Sequence, residues 1–321
     1  MSDTVVKSDS LREVFGQTLC SLADPERPNF YVLGVDLAGG VGSHWFRSKF
    51  PDRHLELGIC ESAAMGVAAG LAASTNLPIY LPGFATFLLR GLEPARLAIF
   101  YDFRNVKIIC SHLGVSSGPD GGSVQELSYI AIWRSIPNSV VIWPADATEM
   151  RQVLKWSLEY DGPIVIFTGR NVAPPVTPPD YQFNLSTPQA IYPASPSPLT
   201  PDLTLIACGH TVSICIQAAE TLGNSYGIEA QVVNMSTLKP VNREALRDLC
   251  GGKPILVCED HSVWGGLYGA VCEMLAPYGF RQPIVGMGLT TFGESGSPEE
   301  LFDKYGIGVE AVVREARELV G

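Results

Sequence analysis

Positive charge is scarce in this chain: 22 Lys and Arg stand against 33 Asp and Glu, for a net charge of −11. A nucleic-acid-binding surface needs clustered basic side chains, so the composition argues against one. Long apolar runs are missing as well. No stretch of about 18 or more uncharged apolar residues occurs, and a membrane-spanning helix is not expected. The opening M-S-D-T-V-V-K has neither the basic start nor the apolar core of a signal peptide, which predicts a cytoplasmic protein. Metal ligands are thinly spread. The eight cysteines form no C-x-x-C pair, and the five histidines show no ligand-like spacing. Most of the cysteines fall inside apolar segments, where Cys behaves as a small hydrophobe, so no structural metal is expected. The Gly-rich loop G-V-S-S-G-P-D-G-G-S matches neither the P-loop nor the dinucleotide-binding fingerprint.

What the chain does have is apolar substance and a regular alternation. Its 321 residues are 46% hydrophobic with a mean hydropathy of +0.17, enough for about two domains with a core each. Residues 9–22 read as a helix with Asp9 or Ser10 as N-cap and Leu11, Val14, Phe15, Thr18, Leu19 and Leu22 on one face. A short strand then ends at Asp36, before the turn A-G-G-V-G. Strands near 53–58, 77–82, 106–112, 139–145 and 163–169 alternate with helices over 61–74, 87–101, 125–135 and 147–160. Short uninterrupted apolar strands between amphipathic helices predict parallel sheets covered on both faces, an α/β fold. Residues 173–201 carry proline at a density that excludes helix and central strand, and read as an extended linker. From 203 the alternation resumes as a smaller unit. The expected organisation is 1–172, a Pro-rich linker over 173–201, and 202–321.

Ligands in an open parallel sheet sit outside the carboxyl ends of its strands. Asp36, Glu61, the Phe84/Phe87 pair, the loop from His112 to Asp120, and Arg170 all lie at such ends. Glu61 is a lone acid opening a helix built almost wholly of Ala and Gly. The helix dipole favours its anion, whereas apolar burial favours the neutral acid. If burial prevails, the carboxyl can share a proton with a ring nitrogen; otherwise it only satisfies backbone amides. Phe84 and Phe87 could sandwich a planar ring or serve as core. His112 and Arg170 could bind an anion, for which Arg offers a bidentate fork, or each could be a satisfied polar residue.

The motifs in order are F-P-D-R-x-x-x-x-G-I-x-E (50–61), F-x-x-F (84–87), S-H-x-G-x-x-x-G-P-D-G (111–121), R-S-I-P-N, P-A-D, G-R-N (169–171), T-L-K-P and E-D-H-x-x-x-G-G-L (259–267). Spaced this way along nearly the whole chain, they resemble the C-terminal half of transketolases, a thiamine diphosphate-dependent family. The resemblance implies a pyrimidine-binding domain followed by a transketolase C-terminal domain. It implies that Glu61 is the catalytic glutamate that hydrogen-bonds N1′ of the cofactor's aminopyrimidine, and that Phe84 and Phe87 pack against that ring. It places Arg12, His112 and Arg170 on positions that bind a substrate phosphate, and Asp120 on one that contacts a sugar hydroxyl.

The family binds diphosphate and Mg²⁺ through a G-D-G…N segment of its N-terminal half, and this sequence has none. Asp120-Gly121-Gly122 follows Pro119 and lacks the Asn. The resemblance therefore implies one subunit of a split, two-component transketolase acting on a sugar phosphate. A partner would hold the diphosphate and metal, in an α2β2 heterotetramer. Three departures stand out. Val124 occupies the place of a family histidine, Gly40 that of a phosphate-binding Ser, and Arg90 that of a third aromatic. Val124 and the Glu61-Ser62 pair motivate two alternatives: a specialised thiamine enzyme passing a two-carbon unit to an unusual acceptor such as a carrier protein, or a two-oxoacid dehydrogenase beta-like subunit.

Overall fold

The computed structural model describes residues 10–193 and 200–321; Asp9 and part of the expected linker lie outside them. The first unit contains β1 (Tyr31–Gly34), β2 (His54–Glu56), β3 (Ile79–Phe84), β4 (Val106–Ser111), β5 (Val140–Ile142) and β6 (Ile164–Thr168). The rest of the chain adds β7 (Gln189–Tyr192), β8 (Leu203–Ala207), β9 (Ala230–Asn234), β10 (Thr237–Lys239), β11 (Ile255–Ser262) and β12 (Ile284–Leu289). They form two sheets, ordered β10-β5-β6-β4-β3-β1-β2 and β12-β11-β8-β9-β7. Every residue of β4, β5, β6 and β8 is buried, as strands covered by helices on both faces require. The expected α/β class holds, with one antiparallel edge strand on each sheet.

Those two edge strands are the features the sequence pattern did not reveal. The antiparallel strand β7 lies inside the proline-rich stretch and pairs with β9. An edge position suits it, because only one side of the strand must offer ladder donors. The stretch before it is tied down: Asp146 accepts hydrogen bonds from the backbones of Val176 and Thr177, and Gln152 bonds to Tyr181 and Phe183. The other, β10, leaves the second unit and extends the first sheet beside β5. Its Lys239 Nζ donates to the carbonyls of Arg134 and Ile136 at 2.9 and 2.5 Å. The helix expected over 87–101 is instead a series of short turns from Ala85 to Tyr101, ending in a wide π-type turn. Gly91 and Pro94 within it weaken a regular helix by backbone entropy and by a missing donor. Short helices at His44–Lys49 and Pro298–Lys304 were likewise not apparent.

Parallel register places the functional edge. Phe84 pairs with Ser111 and Ser111 with Thr168, so His112 and Arg170 leave the sheet side by side just beyond Phe84. The helix Glu61–Thr75 covers this edge with Ala64, Met65, Ala68, Ala69 and Ala72 turned inward. Its other face is exposed at Ser62, Ala63, Gly66, Val67 and Gly70. No helix among the described residues is long and apolar enough to cross a membrane.

Candidate active site

A continuous chain of contacts runs along the carboxyl edge of the first sheet. Glu61 opens its helix and is buried, and its carboxylate lies 3.9 Å from the Arg90 guanidinium. Arg90 in turn covers the Phe87 ring at 5.4 Å. Phe87 and Phe84 stack with centroids 5.5 Å apart at 22°, and Phe84 stacks on the His112 imidazole at 3.7 Å. The possible sandwich is corrected by this spacing: a ring inserted between the phenyls would need two stacking steps, about 7 Å. As the rings stand, no planar ligand fits between them, and Arg90 and His112 flank the pair. Gly40 has a physical reason here, since a Cβ at that position would sit 2.9 Å from the Phe84 ring. The Ser common in the family would collide with it.

His112 follows β4 in a left-handed conformation (φ +59°), which turns its ring back over the sheet edge. Its Nδ1 pairs with Ser111 Oγ at 2.9 Å, and its Nε2 lies 3.6 Å from Asp120 Oδ2. Burial, followed by the Arg12 and Arg170 charges, pushes the imidazole down to about 3, so it is neutral near physiological pH. Arg170 Nε binds the same Asp120 oxygen at 3.0 Å, and its Nη1 donates to the Ser117 carbonyl. Arg12 Nη1 donates to the Gly40 carbonyl at 3.2 Å, while its buried Nε has no partner among the described residues. Two guanidiniums thus face one carboxylate and one neutral imidazole. That set has spare positive charge and donors for an anion, plus an acceptor for a hydroxyl.

Seven of the sequence-derived candidates, Arg12, Glu61, Phe84, Phe87, His112, Asp120 and Arg170, therefore fall on one edge. Asp36 does not join them: it is exposed, and its backbone N–H is held by Glu56. Two participants had no assigned role at the sequence level, Arg90 against Glu61 and Asn171 against the Ser116 carbonyl. The G-R-N motif was the available signal for Asn171; only packing shows where Arg90 points. Val124 is half-buried after the Asp120 loop, with its N–H on the Gly121 carbonyl. A cavity of about 580 Å³ opens beside the phenylalanines, lined by Thr86, Ser123, Gln125, Leu289 and Phe292 among others. Among the described residues no group of three or more His, Cys, Asp or Glu is placed to hold a metal ion.

Two family models match the chain: the transketolase pyrimidine-binding domain over residues 7–175 and the transketolase C-terminal domain over 196–312. A Methanocaldococcus jannaschii protein named for the C-terminal section of a transketolase is 33% identical over 312 residues, covering 96% of this chain and 95% of its own. One of the subunits of the apulose-4-phosphate transketolase of Phocaeicola vulgatus is 32% identical, covering 96% and 97%. Among solved structures, a split-gene transketolase described as an inactive β4 tetramer superposes with a TM-score of 0.84 at 33% identity, covering 98% of each chain.

Proposed function

The chain belongs to the transketolase family, whose enzymes depend on thiamine diphosphate, and we propose that it is the C-terminal subunit of a two-component enzyme transferring a two-carbon ketol unit from a phosphorylated ketose. The observation that carries this reading is the unbroken contact path from Glu61 through Arg90, Phe87, Phe84 and His112 to Asp120 and Arg170.

A buried carboxylate beside half-exposed phenyl faces fits the aminopyrimidine of thiamine diphosphate, which has flat faces and a polar edge. When bound, this cofactor supplies the carbon nucleophile that carries the two-carbon unit. Glu61 would hydrogen-bond the pyrimidine ring nitrogen and hold the proton there, displacing its contact with Arg90. Phe84 and Phe87 would pack on one ring face. Arg12, Arg170 and the His112 N–H would orient the substrate phosphate, and Asp120 would accept from a sugar hydroxyl.

The diphosphate and Mg²⁺ are assigned to a partner subunit, because the G-D-G…N segment that binds them in the family is missing from this sequence. The outward face of the Glu61 helix supports such a partner. A Cβ at Gly66 or Gly70 would meet nothing within 4 Å, so this chain's own packing does not require glycine there. Exposed Ile59, Val67, Leu97 and Tyr101 accompany that face. Covering it would complete the site in an α2β2 heterotetramer. All eight cysteines are free, which suits a reducing cytoplasm.

The test is to mix the chain with its partner and follow thiamine-dependent ketol transfer. Glu61→Gln should lower turnover by about 10²–10⁴-fold, and intact turnover would refute the assignment. The pair, and neither chain alone, should bind thiamine diphosphate; binding by one chain alone would refute an interface site. Val124 favours a second reading with an unusual acceptor, since valine cannot shuttle protons. Under it, Val124→His should increase sugar-phosphate turnover, and no gain would count against that position as the determinant.

A further inference from the structure

The loop from Gly114 to Asp120 carries the acid of the anion cluster, yet its conformation is set from the second unit. Asp260, on β11, is wholly buried. Its Oδ1 accepts from the Val115 N–H at 2.7 Å and its Oδ2 from the Ser116 N–H at 3.0 Å. A carboxylate is needed for this, because an amide has only one acceptor oxygen to offer two adjacent donors. Gly114 makes the approach possible: at φ +62° it admits the left-handed turn, and a Cβ there would lie 2.2 Å from the Asp260 carboxylate. Beyond the latch, the Ser116 carbonyl receives the Asn171 amide and the Ser117 carbonyl receives Arg170 Nη1. The loop then ends at Asp120, which meets Arg170 at 3.0 Å. Its far side is also tied to the second unit, where Gln125 Nε2 bridges the carbonyls of Gly118 and Glu294 at 3.0 and 2.9 Å.

We propose that Asp260 is a positioning residue for substrate recognition: by fixing Val115 and Ser116 it sets the place of Asp120 and the orientation of Arg170 without touching substrate. The second unit, which supplies no side chain to the contact path, thereby controls the anion site of the first. This inference rests on the reading of Asp120 and Arg170 as substrate ligands.

The experiment uses the assembled two-subunit enzyme with Asp260→Asn, Gly114→Ala and Asp120→Asn, a phosphorylated ketose as donor, and hydrogen exchange of the 113–121 peptide. For Asp260→Asn and Gly114→Ala the expected result is a KM for donor raised about tenfold, the size of one lost charge-assisted hydrogen bond. Turnover should stay within about twofold, with thiamine diphosphate affinity unchanged and exchange at Val115 and Ser116 faster. A merely structural role would lower kcat through loss of active enzyme and leave KM alone; that outcome overturns the proposal. If Asp120→Asn raises KM and Asp260→Asn does not, the latch is refuted while the substrate reading survives. If Asp120→Asn leaves KM unchanged, the substrate reading fails and this inference with it, whatever the exchange shows. Should the Asp260 and Gly114 variants not fold, the wild-type enzyme still decides: exchange of the Val115 and Ser116 amides at free-loop rates refutes the latch, and protection comparable to β4 upholds it.

Discussion

The neutral His112 has a measurable consequence for stability. An unfolded chain titrates its histidines near 6.5, whereas His112 in the fold is pushed down to about 3. Its folded-state pKa is depressed, so its contribution is fully present above 6.5 and is lost as pH falls towards 3. Between pH 7 and pH 5 the unfolded state takes up nearly one proton that the folded state refuses, which costs about 2 kcal/mol. Over the whole interval the loss is about 5 kcal/mol. The perturbation is His112→Gln, which keeps a donor but does not titrate. Removing the ring also removes its stacking on Phe84, but that loss is the same at both pH values and cancels in the difference. His210 and His261, each lowered to about 4 by burial, contribute equally to both proteins. Denaturant unfolding of wild type and variant at pH 7 and 5 should therefore show wild type losing about 2 kcal/mol more on acidification. The opposing force is the Asp120 carboxylate at 3.6 Å, which favours imidazolium. Equal losses in the two proteins would mean an imidazole that folding leaves unshifted, and a smaller loss in wild type than in the variant would mean that Asp120 prevails, His112 is charged, and the anion site holds three cations rather than two.

Four further outcomes follow from the packing. Gly66→Ala should stabilise the subunit by about 0.5–1 kcal/mol in a denaturant titration, because the added methyl meets open space. Gly66→Leu should leave its fold intact yet abolish assembly with the partner by size-exclusion analysis, and normal assembly would show that the Glu61 helix is not the interface. Gly40→Ser should displace Phe84 and weaken thiamine diphosphate binding by the two-subunit complex, read by calorimetry; unchanged affinity would separate Phe84 from the cofactor. Lys107 is wholly buried and donates to the carbonyls of Tyr160 and Gly162 at 2.7 and 2.6 Å. Lys107→Met should cost about 3 kcal/mol in unfolding free energy by stranding both acceptors, and a loss below about 1 kcal/mol would show that water replaces the ammonium.

Much of this arrangement is legible in the chain itself. Uninterrupted apolar strands such as V-K-I-I-C-S and I-V-I-F-T can be buried on both faces only in a sheet flanked by helices, so the α/β class and the strand sequence follow from local pattern. Because candidates at strand ends share the carboxyl edge of a parallel sheet, Glu61, Phe84, His112 and Arg170 could be grouped before any coordinates. Their motif spacing identified the family. Tertiary structure decided what depends on contacts between distant segments. The strand Gln189–Tyr192 forms despite its proline-rich setting because an edge was available on β9, and Thr237–Lys239 because β5 had a free side. Neither fact is encoded in local propensity. The same holds for Arg90 reaching Glu61, for the 5.5 Å stack that leaves no slot between the phenylalanines, and for Asp260 reaching 144 and 145 residues back to the Asp120 loop. Periodicity reports which face of an element is buried; which side chain then meets which, and at what distance, is settled only when the sheets pack.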